Sequence, residues 1–286
     1  MEDPVKKDWG LRPLHEKMLQ LLSYIHEFCT DNNIDYCLAY GSALGAIRHN
    51  GFIPWDDDVD IYMTAESYSR FRRMFKEKGN HSLYYLQELG YYGDMVNFSK
   101  IRINGTTFLE PITRNLDMHH GIYIDIFILH NSDGVKSHLK KMVFAGKYLT
   151  IKRLSNIGYS RRKLYRPILA FLRLFPYDFL RSKALKTIYQ YDNQETDYYF
   201  EPEFQSKVEL WEKDIIFPAV QHNFEGLTLN IPAKSHEYLT MYYGDYMKIP
   251  NLEDIEWGHH SSEWFVDRDF KEVLNRDFSF NDEIIG

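Results

Sequence analysis

The chain has 286 residues, 44% hydrophobic and 26% charged, a usage that excludes wholesale disorder and fibrous repeats. The length allows one large domain or two small ones. Lys and Arg total 34 against 41 Asp and Glu, a formal charge of −7, which argues against a protein basic throughout for nucleic-acid binding; no nucleic-acid partner is expected.

Taken in chain order, residues 11–29 carry Leu14, Met18, Leu21, Leu22, Ile25 and Phe28 at a helical period. The cluster Thr30-Asp31-Asn32-Asn33 ends that helix. Ile34 to Tyr40 reads as a short strand, Gly41-Ser42 as a turn, and Ala43 to Arg48 as a brief helix. A loop from His49 to Trp55 leads to a strand over Val59–Met63 and a helix over Ala65–Lys78 capped by Thr64. Further strands are predicted at 83–88, 95–103 and 121–129. Helices and strands mix without a fixed period, so a mixed core of both is expected. Cys29 and Cys37, the only cysteines, form neither a disulfide framework nor a metal ribbon; they read as buried small hydrophobes in a reducing compartment. The amino-terminal residues show no basic-then-apolar leader, and no apolar run reaches the roughly 18 residues of a membrane span.

The charge is segregated. Residues 136–186 hold fourteen basic side chains against the single acid Asp178, a balance of +13, which leaves 20 basic and 40 acidic residues elsewhere, or −20. Met142, Val143, Phe144, Tyr148, Leu149, Ile151 and Leu154 lie among those cations at spacings of three and four, as in basic amphipathic helices. Two readings follow: docking on an anionic membrane surface, or packing of the apolar faces on the acidic remainder with the cations solvated.

Pro54-Trp55-Asp56-Asp57-Asp58-Val59-Asp60-Ile61 places four carboxylates in five residues ahead of a strand. Alternation puts Asp58 and Asp60 on one face while Val59, Ile61 and Met63 point to the core. Two carboxylates on one face suit a hard cation such as Mg²⁺ with substrate phosphates. A calcium loop counted from Asp56 fails, because Ile61 stands where Gly is needed and Ser67 where Glu is needed. A second strand, Ile122 to Ile128, is apolar apart from Asp125, which shares a face with Tyr123 and Phe127. Such a charge needs a partner, and a metal shared with Asp58 and Asp60 would supply one.

The run from Tyr40-Gly41-Ser42-Ala43-Leu44-Gly45 through Phe52-Ile53-Pro54-Trp55-Asp56-Asp57-Asp58-Val59-Asp60-Ile61 resembles the signature of the LicD family of phosphocholine transferases. The resemblance continues through Lys100-Ile101-Arg102, Ile124-Asp125-Ile126-Phe127, Phe224-Glu225-Gly226, Ile231-Pro232, Tyr243-Gly244-Asp245-Tyr246 and His259-His260. Ile128-Leu129-His130 departs from it where Pro-Leu-Asp is expected. The resemblance implies an α+β fold, a nucleotidyltransferase-like mixed sheet flanked by helices, with a basic helical insert and a C-terminal helical substrate region. The expected divisions are a catalytic core at 11–132, the basic segment at 133–186, a substrate region at 187–262 and an acidic tail at 263–286.

The implied activity is transfer of phosphocholine, or a related phospho-alcohol, from CDP-choline or another CDP-alcohol. The acceptor is a hydroxyl of a bacterial glycan of teichoic acid, lipopolysaccharide or capsule type, or its lipid-linked precursor, with release of CMP. Asp58, Asp60 and Asp125 would be the catalytic and metal-binding residues, holding one or two Mg²⁺ ions, with Mn²⁺ an acceptable substitute. Gly41, Ser42, Arg48, Trp55, Lys100, Arg102, Glu225, Tyr243, His259 and His260 would contact substrate. Trp55, Trp211, Tyr238, Tyr242 and Tyr243 are candidates for holding a quaternary ammonium, whereas His119-His120 reads as structural. The expected location is cytoplasmic and peripheral, at the inner face of the plasma membrane, through 136–186. A nucleotidyltransferase moving a nucleoside monophosphate and a non-catalytic membrane adaptor are the competing readings.

Overall fold

The computed structural model describes residues 3–88, 98–157, 167, 170–171, 177–202, 210–258 and 263–278. The first helix, α1 (Arg12–Asp31), buries Leu14, Met18, Leu21, Leu22, Ile25 and Phe28, the stripe that its period predicts. The strand expected over 34–40 is only β1 (Cys37–Leu38), because α2 (Tyr40–His49) starts two residues later and already contains Gly41 and Ser42. Next come β2 (Asp60–Thr64) and α3 (Ala65–Lys78), whose Thr64 hydroxyl accepts the Ser67 N–H as expected of an N-cap. Then follow β3 (Tyr84–Gln87), β4 (Ser99–Ile103), β5 (Thr107–Leu109) and the ten-residue β6 (Tyr123–Ser132).

The sheet runs in the order β1-β2-β6-β4-β3, with β2 and β6 parallel and the other neighbours antiparallel. Parallel pairing needs a long crossover, and here 58 residues separate Thr64 from Tyr123. The isoleucine face of β6 is buried, with Ile124 and Ile126 at 0% exposure, and α1 and α3 pack on β6. The opposite face carries Asp60, Tyr62, Tyr123, Asp125 and Phe127. Its apolar half is capped by rings: Tyr40 lies 5.2 Å from Tyr62 and 5.0 Å from Phe127, and Trp211 lies 5.9 Å from Tyr62.

The chain continues through α4 (Lys136–Ile157) and α5 (Tyr177–Ile188), which pack on each other, to β7 (Tyr198–Phe200), β8 (Leu210–Glu212) and the short α6 (Lys213–Ile216). Strand β7 pairs with the end of β6, so the region after the basic helices extends the same sheet. A hairpin of β9 (Val220–Phe224) and β10 (Leu227–Ile231), then α7 (Ser235–Tyr243) and α8 (Leu252–Gly258), complete that side. From 263 to 278 the acidic segment is folded: β11 (Glu263–Phe265) pairs with β5, and α9 (Phe270–Leu274) buries Phe270. Cys29 and Cys37 are free and buried.

The basic segment departs from a single apolar stripe. One side of α4 buries Met142, Ala145 and Leu149, with Ala145 and Leu149 packed against Ala184 and Ile188 of α5. Gly146 lets this helix approach Pro202, whose carbonyl would lie 2.3 Å from an added Cβ. Phe144 and Ile151 face outward instead.

Candidate active site

Strand register assembles the site. Asp60 is the partner of Asp125 across the parallel β2–β6 pair, and Asp125 is the partner of Lys100 across β6–β4, so three charged residues form one row on one face. One step along, Tyr123 is opposite Arg102. The row thus grades from carboxylates on β2 to cations on β4.

Lys100 Nζ lies 2.8 Å and 3.1 Å from the two Asp125 oxygens and 3.4 Å from the Tyr123 ring centre. Arg102, fully buried, donates from Nε to Gln87 Oε1 at 2.6 Å and from Nη1 to the Gly121 carbonyl at 2.9 Å. Burial holds the Asp60 carboxyl well above the usual range, helped by the charges of Asp58, Asp125 and Asp56 and opposed by Lys100. Burial likewise raises Asp125, outweighing the Lys100 charge and hydrogen bond.

The acidic loop is anchored from behind. His15 stacks on Phe52 with ring centres 4.2 Å apart and donates from Nε2 to the Asp56 carbonyl at 2.7 Å. Ser42, buried in α2, accepts the Asp60 N–H at 2.9 Å, so its oxygen fixes the start of β2. Gly41 is required by close approach: an added Cβ would stand 2.6 Å from Asp56 Oδ2. The absence of a side chain lets that carboxylate reach the positive end of α2. Tyr40, a bulky residue at φ 42°, holds the helix start by donating its N–H to Tyr238 Oη at 2.9 Å.

Asp56, Asp57 and Asp58 present carboxylate oxygens all within 4.8 Å of one another. Asp56, packed on most sides yet open at the cleft edge, titrates well above the usual range, through burial first and then repulsion from Asp58 and Asp57. Such crowding of hard oxygen donors would be relieved by a divalent cation, and carboxylate oxygens are a donor set that Mg²⁺ takes.

A cleft of about 450 Å³ opens over this cluster, with Asp56, Asp58 and Asp60 in its lining together with Gly41, Arg48, Trp55 and Tyr243. Arg48 donates to the Tyr246 carbonyl at 2.9 Å, and its guanidinium lies 5.9 Å from the Trp55 ring. Among the expected residues, Asp125, Lys100 and Arg102 lie buried in the sheet beside the cleft rather than in its lining. Glu225 lies outside the lining. At the turn of the β9–β10 hairpin it accepts from Arg12 Nη1 at 2.8 Å and packs over Gly51. His259 and His260 lie outside the described residues. Trp211 and Tyr238 belong to the core, whereas Trp55 and Tyr243 face the cleft. Sequence reasoning assigned no role to Asp245 and Lys248, which complete the cleft rim. Asp245 had a signal in the Tyr243-Gly244-Asp245-Tyr246 run; Lys248 had none. His119 and His120 are buried, with His119 Nδ1 accepting the Gly121 N–H at 2.9 Å.

The family model described as LicD/FKTN/FKRP, nucleotidyltransferase domain, matches residues 33–167, which include β2, β4 and β6. The lipopolysaccharide cholinephosphotransferase LicD of Haemophilus influenzae is 30% identical over 277 residues, covering 91% of this chain and 99% of that protein. The chain belongs to the LicD family. Two uncharacterised rickettsial proteins share shorter stretches. That of Rickettsia typhi is 43% identical over 65 residues, 22% of this chain and 21% of its own length. That of Rickettsia prowazekii is 49% identical over 49 residues, 17% of this chain and 18% of its own length. Among the described residues, no helix of this LicD-family chain is long and apolar enough to cross a membrane.

Proposed function

We propose that this LicD-family protein is a phosphocholine transferase that uses CDP-choline and Mg²⁺. The acceptor is a hydroxyl of a cell-surface glycan of lipopolysaccharide or teichoic acid type, or its lipid-linked precursor, and the enzyme works peripherally at the inner face of the plasma membrane. The observation that carries the reading is the Asp60–Asp125–Lys100 register row lying beside the Asp56–Asp58 loop and a cleft with an aromatic wall. The near full-length likeness to a lipopolysaccharide cholinephosphotransferase supports the same chemistry.

Asp56 and Asp58 of the carboxylate cluster, with Asp60 beside them in the cleft lining, would hold the metal, which would neutralise diphosphate charge. The acceptor oxygen attacks the β-phosphorus, the bond from that phosphorus to the bridging oxygen breaks, and CMP leaves with the bridging oxygen. Asp125 completes the oxygen set or takes the hydroxyl proton. Lys100 and Arg102 set a positive potential behind the transferred phosphate. Trp55 and Tyr243 offer ring faces to the trimethylammonium group.

The test incubates purified protein and Mg²⁺ with CDP-choline, CDP-ethanolamine, CDP-glycerol or CDP-ribitol and lipopolysaccharide or teichoic acid. Released nucleotide and product mass are then read. CMP release with addition of phosphocholine to the glycan is expected. Pyrophosphate release would instead assign nucleotidyl transfer, and no product with any donor would remove the reading.

A further inference from the structure

We propose that the outer face of α4 and α5 is a docking surface for an anionic phospholipid bilayer. The inference deepens the peripheral placement above and does not depend on which phospho-alcohol is transferred. Helix α4 contains six Lys and Arg side chains and no acid. Its inner side is already satisfied by Met142, Ala145 and Leu149, yet Phe144 is 72% exposed and Ile151 42% exposed. These two lie seven residues apart, on one stripe two turns long, so the helix has a second apolar face that no described element covers.

Between the two helices lies a groove of about 580 Å³, floored by Ala145, Tyr148 and Ala184 and edged by Lys140, Lys141 and Lys183. None of these three lysines is ion-paired with a carboxylate among the described residues. The Tyr148 hydroxyl is buried and without a hydrogen-bond partner. An apolar strip flanked by ammonium groups matches the boundary between acyl chains and anionic headgroups: Phe144 and Ile151 enter the acyl edge while the lysines reach phosphate. Charge complementarity selects this occupant. Helices α4 and α5 together carry nine basic side chains against the single acid Asp178, a balance of +8, so a negatively charged bilayer attracts this pair of helices.

The test is co-sedimentation of the full chain with vesicles of phosphatidylcholine alone or mixed with phosphatidylglycerol, at low and high salt. Binding is expected only with phosphatidylglycerol and is expected to fall with salt as screening grows. The combined variant Lys140→Glu, Lys141→Glu, Lys183→Glu should lower partitioning by roughly 100-fold, and Phe144→Ser by roughly 10-fold. Both variants should keep the wild-type thermal midpoint and the wild-type rate of CMP release with a soluble, delipidated acceptor. Wild-type partitioning by the charge-reversed variant, or equal binding to neutral vesicles, would overturn the proposal. Absence of transfer with lipid binding intact would count against the enzymatic reading alone.

Discussion

Lys100 stands opposite Asp125 on neighbouring antiparallel strands, its Nζ 2.8 Å from one carboxylate oxygen, with the two side chains only 3% and 9% exposed. Removing Lys100 leaves the Asp125 carboxylate buried without its cation, which costs about 3–5 kcal/mol. Lys100→Met should therefore lower stability by that amount in denaturant unfolding. The double variant Lys100→Met, Asp125→Leu should recover much of the stability while remaining inactive. Recovery of transfer in the double variant would remove Asp125 from the catalytic set.

Asp60 pays for its position with repulsion from Asp58, Asp125 and Asp56. Asp60→Asn should raise the unfolding free energy of the metal-free protein by about 1 kcal/mol, since the Ser42 hydrogen bond uses only its backbone. The same change should abolish transfer and the Mg²⁺-induced rise in thermal midpoint. A variant that is still stabilised by Mg²⁺ as strongly as wild type would exclude Asp60 as a metal ligand.

Gly41→Ala tests the close packing of α2 on the acidic loop. Alanine favours a helix by about 1 kcal/mol over glycine, but its Cβ would lie 2.6 Å from Asp56 Oδ2. The carboxylate must move, and a shift of that kind is expected to reduce kcat roughly 100-fold with little loss of thermal stability. Unchanged kcat would show that Asp56 has no part in the chemistry.

Burial and the nearby Arg102 charge lower the His120 pKa to about 4. Its folded pKa is below the ordinary value near 6.5, so the unfolded chain binds the proton first. Stability is fully present above pH 6.5 and is lost as pH falls toward 4, by roughly 3 kcal/mol at most from this residue. His119, also lowered chiefly by burial, adds in the same direction. Denaturant unfolding at neutral and mildly acidic pH should show the decline, and His120→Gln, which keeps a donor for the Leu116 carbonyl, should flatten it. An equal decline in that variant would assign the acid lability to other groups.

Local signals were legible wherever the physics is local. The Thr64 cap and the span Ala65–Lys78 follow from neighbours within one turn, and the shared face of Ile61 and Met63 follows from the pleat, although Tyr62 on the other face is buried as fully. The strand expected over 34–40 shrank to two residues because Tyr40 begins a helix whose start is held by Tyr238, 198 positions away. Glu225 looked like a substrate contact, yet its carboxylate is bound by Arg12 from 213 positions away. Strands β5 and β7 to β11 carried no predicted period; they are short, and β5 and β7 are stabilised by distant partners. For α4, spacing identified apolar residues, but only the tertiary packing separates buried Met142 and Leu149 from exposed Phe144 and Ile151.

The sequence by itself determined the chemistry available: a crowded run of carboxylates before a strand, a lone aspartate in an apolar strand, and a basic segment set apart from an acidic remainder. It also determined which strand face Asp60 and Asp125 take, because that depends only on a period of two. Tertiary structure decided that Asp60, Asp125 and Lys100 share one row, and which cations edge the groove between α4 and α5. Register between strands is set by burial and hydrogen bonding summed over residues far apart in the chain, so no local pattern contains it.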